Sequence, residues 1–184
     1  MLILILGVAL WWAAHLFKRV APEARASMGD RGRGIVTVAL VLAVILMIWG
    51  YRVAPMGAVW WGPSPMMKGI NNLLMLVAVY LFAADGMKTG LARRLRHPQL
   101  LAIAIWGGAH LLVNGDLPSL ILFGGLLAWA VVEMIVINRS EPAPEKPKEA
   151  VPLRKDAIAL VAAIVVYGIA GMIHAWLGYN PFGA

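Results

Sequence analysis

A chain of 184 residues that is 61% hydrophobic and only 14% charged, with a mean hydropathy of +0.80, carries more apolar surface than a soluble domain of its size can bury. The bilayer is therefore its expected solvent. The absence of cysteine excludes disulfides, iron–sulfur clusters, cysteine-ligated zinc and thiol catalysis. The net charge of +7 does not argue for nucleic acid, because the basic residues fall in alternate connections between apolar segments.

Six apolar segments occur in order, at about 2–17, 35–51, 69–86, 99–113, 119–138 and 157–178. They predict an all-α polytopic transmembrane bundle of about six helices, forming one domain over 1–184. Several are at or below the ~20 residues usual for a span, and the fourth is the shortest. The first is expected to be retained, since its charges, Lys18 and Arg19, come after the apolar run rather than before it. Lys and Arg number five, two, four, none and five in successive connections, and none lies beyond the last segment. The positive-inside rule then puts connections one, three and five in the cytoplasm and both termini outside. Connection two, "YRVAPMGAVWWGPSPMMK", is rich in aromatics, Pro and Gly and is expected at the outer surface with Trp176 and Tyr179. The Pro/Glu/Lys-rich stretch at about 139–156 reads as a flexible cytoplasmic linker.

Ionisable side chains within a span are costly and point to function. Here they are His15, His110, His174 and Glu133; Asp85 and His97 lie at helix ends and weigh less. At ~1.5 Å per residue, His15 lies roughly 9 Å from the cytoplasmic face, His110 roughly 18 Å and His174 roughly 25 Å, with Glu133 near the level of His15.

Two stretches are alike. "WWAAHLF" (Trp11 to Phe17) and "WGGAHLL" (Trp106 to Leu112) both read W-x-x-A-H-L. They lie on segments of opposite direction, as two halves of a 3+3 inverted repeat would, although chance in an Ala-, Leu- and Trp-rich chain yields the same likeness. Each Trp precedes its His by four residues and so shares its helix face. Neutral imidazole is a good ligand for iron or zinc. Two histidines on separate helices with aromatics beside them suit a haem held by two axial nitrogens. Four histidines at different depths, with no H-E-x-x-H helix, suit zinc less well. Interhelical hydrogen bonding by each histidine is the plainer alternative.

The other polar groups have structural readings. Pro98 suits a first helical turn, with His97 interfacial before it. Gly107, Gly108, Gly124, Gly125, Gly168 and Gly171 permit close helix packing. Asn114 and Asp116 end the fourth segment, and Asn114 shares a face with His110 and could orient its ring. Arg93, Arg94 and Arg96 suit lipid phosphates or haem propionates. Glu133 could pair with His15 as an outer-shell group or proton relay.

"RHPQLLAIAIWGGAHLLVNGD" and the adjoining "LPSLILFGGLLAWA", with the early "WWAAHLFKR" and the late "GMIHAWLGYNPF", resemble the NnrU family over nearly the whole chain. The family comprises small polytopic membrane proteins linked to nitrite and nitric oxide reduction in bacteria, and it includes the zeta-carotene cis–trans isomerases of plants and cyanobacteria. The resemblance implies a bacterial inner-membrane protein with periplasmic termini. It also implies haem b with His15 and His110 as axial ligands; the residue readings above then put Trp11 and Trp106 packing beside it, Asn114 and Glu133 behind it, and Arg94 and Arg96 near its propionates. His174 and His97 are weaker ligand candidates. Gly107 stands where the isomerase branch has a cysteine implicated in a ligand switch. The expected functions are haem-dependent isomerisation of a lipophilic polyene or a role in nitrogen-oxide metabolism. The alternatives are a non-enzymatic accessory protein or nitric oxide sensor, and a small transporter. Membrane lipids are the expected surroundings; a lipophilic substrate or nitric oxide is the candidate ligand, and nucleic acid is not expected.

Overall fold

The computed structural model describes residues 1–142 and 150–183; residues 143–149, within the expected linker, lie outside the described residues. Seven helices occur in order: α1 (Leu2–Val20), α2 (Pro22–Ser27), α3 (Arg31–Val53), α4 (Pro65–Gly86), α5 (Pro98–Val113), α6 (Leu117–Ser140) and α7 (Leu153–Trp176). Residues Leu120–Gly124 of α6 form a π turn. Five helices are long and apolar enough to cross a membrane, and α5, with 16 residues, is the shorter apolar sixth. The chain is thus an all-α integral membrane protein. Every expected segment is present, and most of the helices extend into the polar residues that flank them, as at Arg19 and Arg31, because an interfacial charge need not end a helix.

Local chemistry fixes the starts. Ser64 Oγ accepts a bond from Met67 N, with Pro65 in the first turn of α4. Pro98 opens α5 in the same way. Asp116 caps α6, its Oδ1 accepting from Ser119 N at 2.9 Å. Two short strands, β1 (Val59–Trp61) and β2 (Gly115–Asp116), pair antiparallel between the α3–α4 and α5–α6 connections.

The helices pack as a row in the order α3, α1, α6, α5, α4, α7. The core lies where α1, α3 and α6 meet, around Leu4, Val8, Met47 and Leu126. Close approach of α1 and α3 depends on two glycines: a Cβ on Gly7 would lie 2.8 Å from Met47 N, and one on Gly50 would collide with Leu4 backbone. Of the glycines expected to serve packing, Gly107 and Gly125 do so against α6 and α1 respectively, whereas Gly168 has open space around it. At its N-terminal end, α7 is tied to the turn after α4 by Asp156, whose carboxylate accepts from Gly90 N and Leu91 N, each at 3.2 Å. At the other end, Lys68 Nζ donates to Gly183 O and Asn72 Nδ2 to Pro181 O, holding the segment after α7 across α4.

Gly50→Ala is expected to destabilise the protein by about 1–3 kcal/mol through overpacking against backbone. Gly34→Ala, with open space around it, should be neutral or stabilising by up to about 1 kcal/mol. Thermal unfolding of the two variants in one detergent checks the contrast, and equal losses would contradict it.

Candidate functional site

At 1.5 Å per residue, α5 is about 24 Å long, short of a hydrocarbon core of about 30 Å. Two of its last carbonyls, which have no partner further along the helix, are met by side-chain donors. His110 O accepts from Asn114 N at 3.0 Å and from Asn114 Nδ2 at 2.8 Å. Leu111 O accepts from Trp61 Nε1 at 2.7 Å. Trp61, from the outer connection, also lies in close contact with Gly115. Asn114 thus serves the main chain of His110 rather than its ring.

The two W-x-x-x-H stretches adopt one local geometry. His15 Nδ1 lies 3.0 Å from Trp11 O, and His110 Nδ1 lies 2.9 Å from Trp106 O. A carbonyl only accepts, so Nδ1 carries hydrogen and donates, and the neutral ring keeps its lone pair on Nε2. No bond to either Nε2 is made among the described residues. Each Trp ring lies against its His ring, with centroids 4.3 Å apart in α1 and 4.8 Å in α5.

Helix α6 supplies the second wall of both places. Phe123, within the π turn, stacks on His110 at 4.4 Å and 20°. It also meets Trp106 and Tyr51 edge-on. Trp129 lies 4.5 Å from the His15 ring and 5.3 Å from Trp11. Phe123 and Trp129 are six residues apart, about 9 Å along the helix axis. The two imidazoles therefore lean on different levels of α6, each in its own aromatic setting.

The settings differ in charge. Below His15, Arg19 Nε donates to Glu133 Oε1 at 2.9 Å, and Arg19 Nη1 donates to Glu141 Oε1 at 2.6 Å. Glu133 is 6% exposed. Its Oε2, with the indole nitrogens of Trp11 and Trp129, has no partner among the described residues. Near His110 the polar groups are neutral hydroxyls and one carboxylate: Tyr51 Oη and Ser119 Oγ lie 2.9 Å apart, and Ser119 Oγ donates to Asp116 Oδ2 at 2.8 Å.

Of the remaining candidates, His174 lies near enough to His110 for its charge to act there, and the others lie apart from both histidines. Arg96 donates to Glu141 O at 2.8 Å and Pro142 O at 3.2 Å, capping the end of α6. Arg94 lies in a single 3₁₀ turn, Ala92–Arg94, and is exposed. His97 Nε2 lies 2.8 Å from Asn138 Oδ1. His174 is exposed, its Nδ1 2.7 Å from Ala170 O. Among the described residues, no group of three or more His, Asp or Glu side chains is placed to hold a metal ion. Sequence reasoning missed Phe123, Trp129, Tyr51 and Arg19. Only Arg19 carried a signal, as the next member after Trp11 and His15 of one helix stripe.

The hydrogen bond from Arg19 holds the Glu141 carboxyl below its usual range, and the charge of Arg19 adds to this. A lowered folded-state value means that this contact stabilises above the ordinary carboxylate pKa of about 4.3 and is lost as pH falls through the folded value. The melting-temperature difference between wild type and Glu141→Gln should therefore be present near neutrality and vanish in acid. A difference that grows on acidification would contradict the contact.

A model of the family described as NnrU protein matches residues 3–181. Neither a curated protein nor a solved structure matches the chain. With nearly its whole length matched and its helices apolar and membrane-length, the chain belongs to the NnrU family of membrane proteins.

Proposed function

We propose that this protein binds haem b within the membrane, with His15 and His110 as the residues that would hold it. The carrying observation is the twice-repeated geometry in which Nδ1 is spent on the carbonyl four residues earlier and Nε2 is left uncommitted. Such a bond to the distal nitrogen fixes the tautomer and orients the ring of a metal-ligating histidine. Two neutral imidazoles are offered with Trp11, Trp129, Trp106 and Phe123 beside them; as placed they lie on levels of α6 about 9 Å apart, so holding one iron between them requires α1 and α5 to shift along α6. Haem, when bound, would supply one-electron redox chemistry and a place for a small gaseous ligand. The chain's own part is to keep both nitrogens neutral, to exclude water and to hold the rings against aromatic walls.

The orientation proposed is that of a bacterial inner-membrane protein with both termini periplasmic. Exposed Trp49, Trp60, Trp61, Trp176 and Tyr179 gather at the outer ends of the helices, and Lys and Arg concentrate at the inner ends.

Between isomerisation and a non-enzymatic role in nitrogen-oxide metabolism, two observations favour the second. A Cβ at Gly107 would lie 2.8 Å from Phe123 O on α6, so no sulfur ligand fits there. The apolar groove of about 470 Å³ between α1 and α6 is lined by Ile5, Val8, Ala9, Trp12, Ile121 and Gly125, and by neither histidine. A lipophilic chain in that groove would not lie on the iron. The role we propose is that of an accessory or sensory protein with nitric oxide as its ligand.

Protein purified in detergent after expression with haem supplied should show a Soret band that Ala at either His15 or His110 abolishes. A well-folded protein that takes up no haem overturns the reading. Loss with only one of the two variants, together with loss in His174→Ala, would replace one assigned ligand. Reduced protein should bind nitric oxide with a shifted Soret band; a spectrum unchanged by nitric oxide and by carbon monoxide overturns the sensory role.

A further inference from the structure

At one end of the bundle α1, α5 and α6 meet at Glu141, whose carboxylate takes Arg19 and whose carbonyl takes Arg96. The turn after α4 and the start of α7 lie at the same end and are joined to each other. Asp156 accepts from Gly90 N, Leu91 N and the Tyr80 hydroxyl, and a Cβ on Gly90 would lie 3.8 Å from Val151 Cβ. The turn has its own internal support: Thr89 is fully buried, its N donates to Ala84 O at 3.0 Å, and its Oγ1 accepts from Ala92 N at 3.2 Å. On this scaffold Lys88, Arg93 and Arg94 stand exposed with Arg154, and Lys155 is partly exposed. Both ion pairs among the described residues belong to Arg19, so none of these five cations is paired there. The carboxylates nearest them are Asp156 and Asp85, and Asp85 accepts from Gln99 Nε2 at 2.7 Å. Residues 143–149 hold two Glu and two Lys and leave the balance unchanged. The patch is therefore net positive. Arg96 is spent on the end of α6 and takes no part.

Apolar side chains lie among the cations: Leu153 is 84% exposed and Leu91 41% exposed. Helices α4 and α7, of 22 and 24 residues, are about 33 and 36 Å long, enough to reach the headgroup layer on either side of a core of about 30 Å. Leucine beside arginine at that level suits the boundary between acyl chains and phosphates, whereas a soluble anion has no use for the leucines. We propose that the turn after α4 and the first turn of α7 form a site for an anionic phospholipid headgroup. Arg93, Arg94 and Arg154 donate to its phosphate, Lys88 and Lys155 flank it, and Leu91 and Leu153 lie against its acyl chains. The guanidinium fork matches phosphate oxygens better than an ammonium does. Haem plays no part in this site.

The purified full-length protein in neutral detergent, titrated with phosphatidylglycerol or phosphatidylcholine while its melting temperature is followed, tests this. Phosphatidylglycerol should raise the melting temperature saturably, and phosphatidylcholine should not. Arg93→Gln/Arg94→Gln/Arg154→Gln should weaken the apparent affinity roughly fivefold for each arginine removed, on the order of a hundredfold in all. Lys18→Gln/Arg31→Gln/Arg33→Gln removes as much charge from the facing ends of α1 and α3 and should keep the wild-type affinity. If the first triple variant does not fold, Arg93→Gln/Arg94→Gln, confined to an exposed turn, should show a loss of roughly twenty-five-fold. Equal stabilisation by the two lipids, equal loss in the two triple variants, or the same rise with inorganic phosphate overturns the proposal.

Discussion

The shortness of α5 governs much of what surrounds it. An unpaired carbonyl away from water costs several kcal/mol, and the end of α5, a helix of 16 residues, leaves its last carbonyls without partners further along the helix. The protein meets them with side chains drawn from two directions: the amide of Asn114, next along the chain, and the indole of Trp61, from the connection between α3 and α4. Recruiting Trp61 brings β1 alongside β2, and β2 leads directly into the cap of α6 at Asp116. The outer connections are thus ordered by the demands of one helix end rather than by packing of their own.

The π turn of α6 belongs to the same arrangement. One extra residue in a turn rotates the C-terminal part of the helix relative to its N-terminal part. Phe123, inside the turn, faces His110, Trp106 and Tyr51, whereas Trp129, beyond it, faces α1. A single helix thereby supplies an aromatic wall to each neighbour. Trp12 Nε1 donates to Gly125 O at 3.0 Å, fixing α1 where the turn ends. Gly125 lets Val8 approach, and Gly107 lets α5 approach. The row of helices is tightest where the histidine-bearing helices flank α6.

The six spans were legible in the sequence because hydropathy and alternating basic connections both report on the bilayer, a constraint that acts on every residue of a span. The ends were less legible. Arg19 lies near the inner end of α1 and Arg31 opens α3, since long basic side chains reach the interface from inside a helix. The pairing of Trp11 with His15 and of Trp106 with His110 came from four-residue spacing, and the contacts have that spacing. What spacing could not give was the partner across the helix interface. Phe123 and Trp129 are ordinary members of an apolar run, and their roles depend on a π turn for which "LILFG" offers no breaker or polar cue. Glu133 was legible as an intramembrane carboxylate but not its partner: proximity to His15 in depth suggested an imidazole, while a guanidinium one turn further on makes the bond. A fixed charge outcompetes a neutral ring for a buried carboxylate.

That competition bears on why the two alike stretches need not act alike. Had Glu133 bonded to His15, its charge would have been shared with the imidazole, and His15 would differ from His110 in hydrogen bonding as well as in surroundings. Instead Arg19 takes Glu133, and both histidines keep the same carbonyl-bound Nδ1 and the same uncommitted Nε2. Identical donor atoms are thus set in different surroundings, one beside the Arg19–Glu133 pair and one near the Ser119–Asp116 pair and His174. The part of the sequence that differs between the two stretches, Arg19 in α1 against Asn114 in α5 at the same offset from histidine, is the part that carries the difference: a cation that recruits a buried carboxylate in one case, and an amide that closes a helix end in the other.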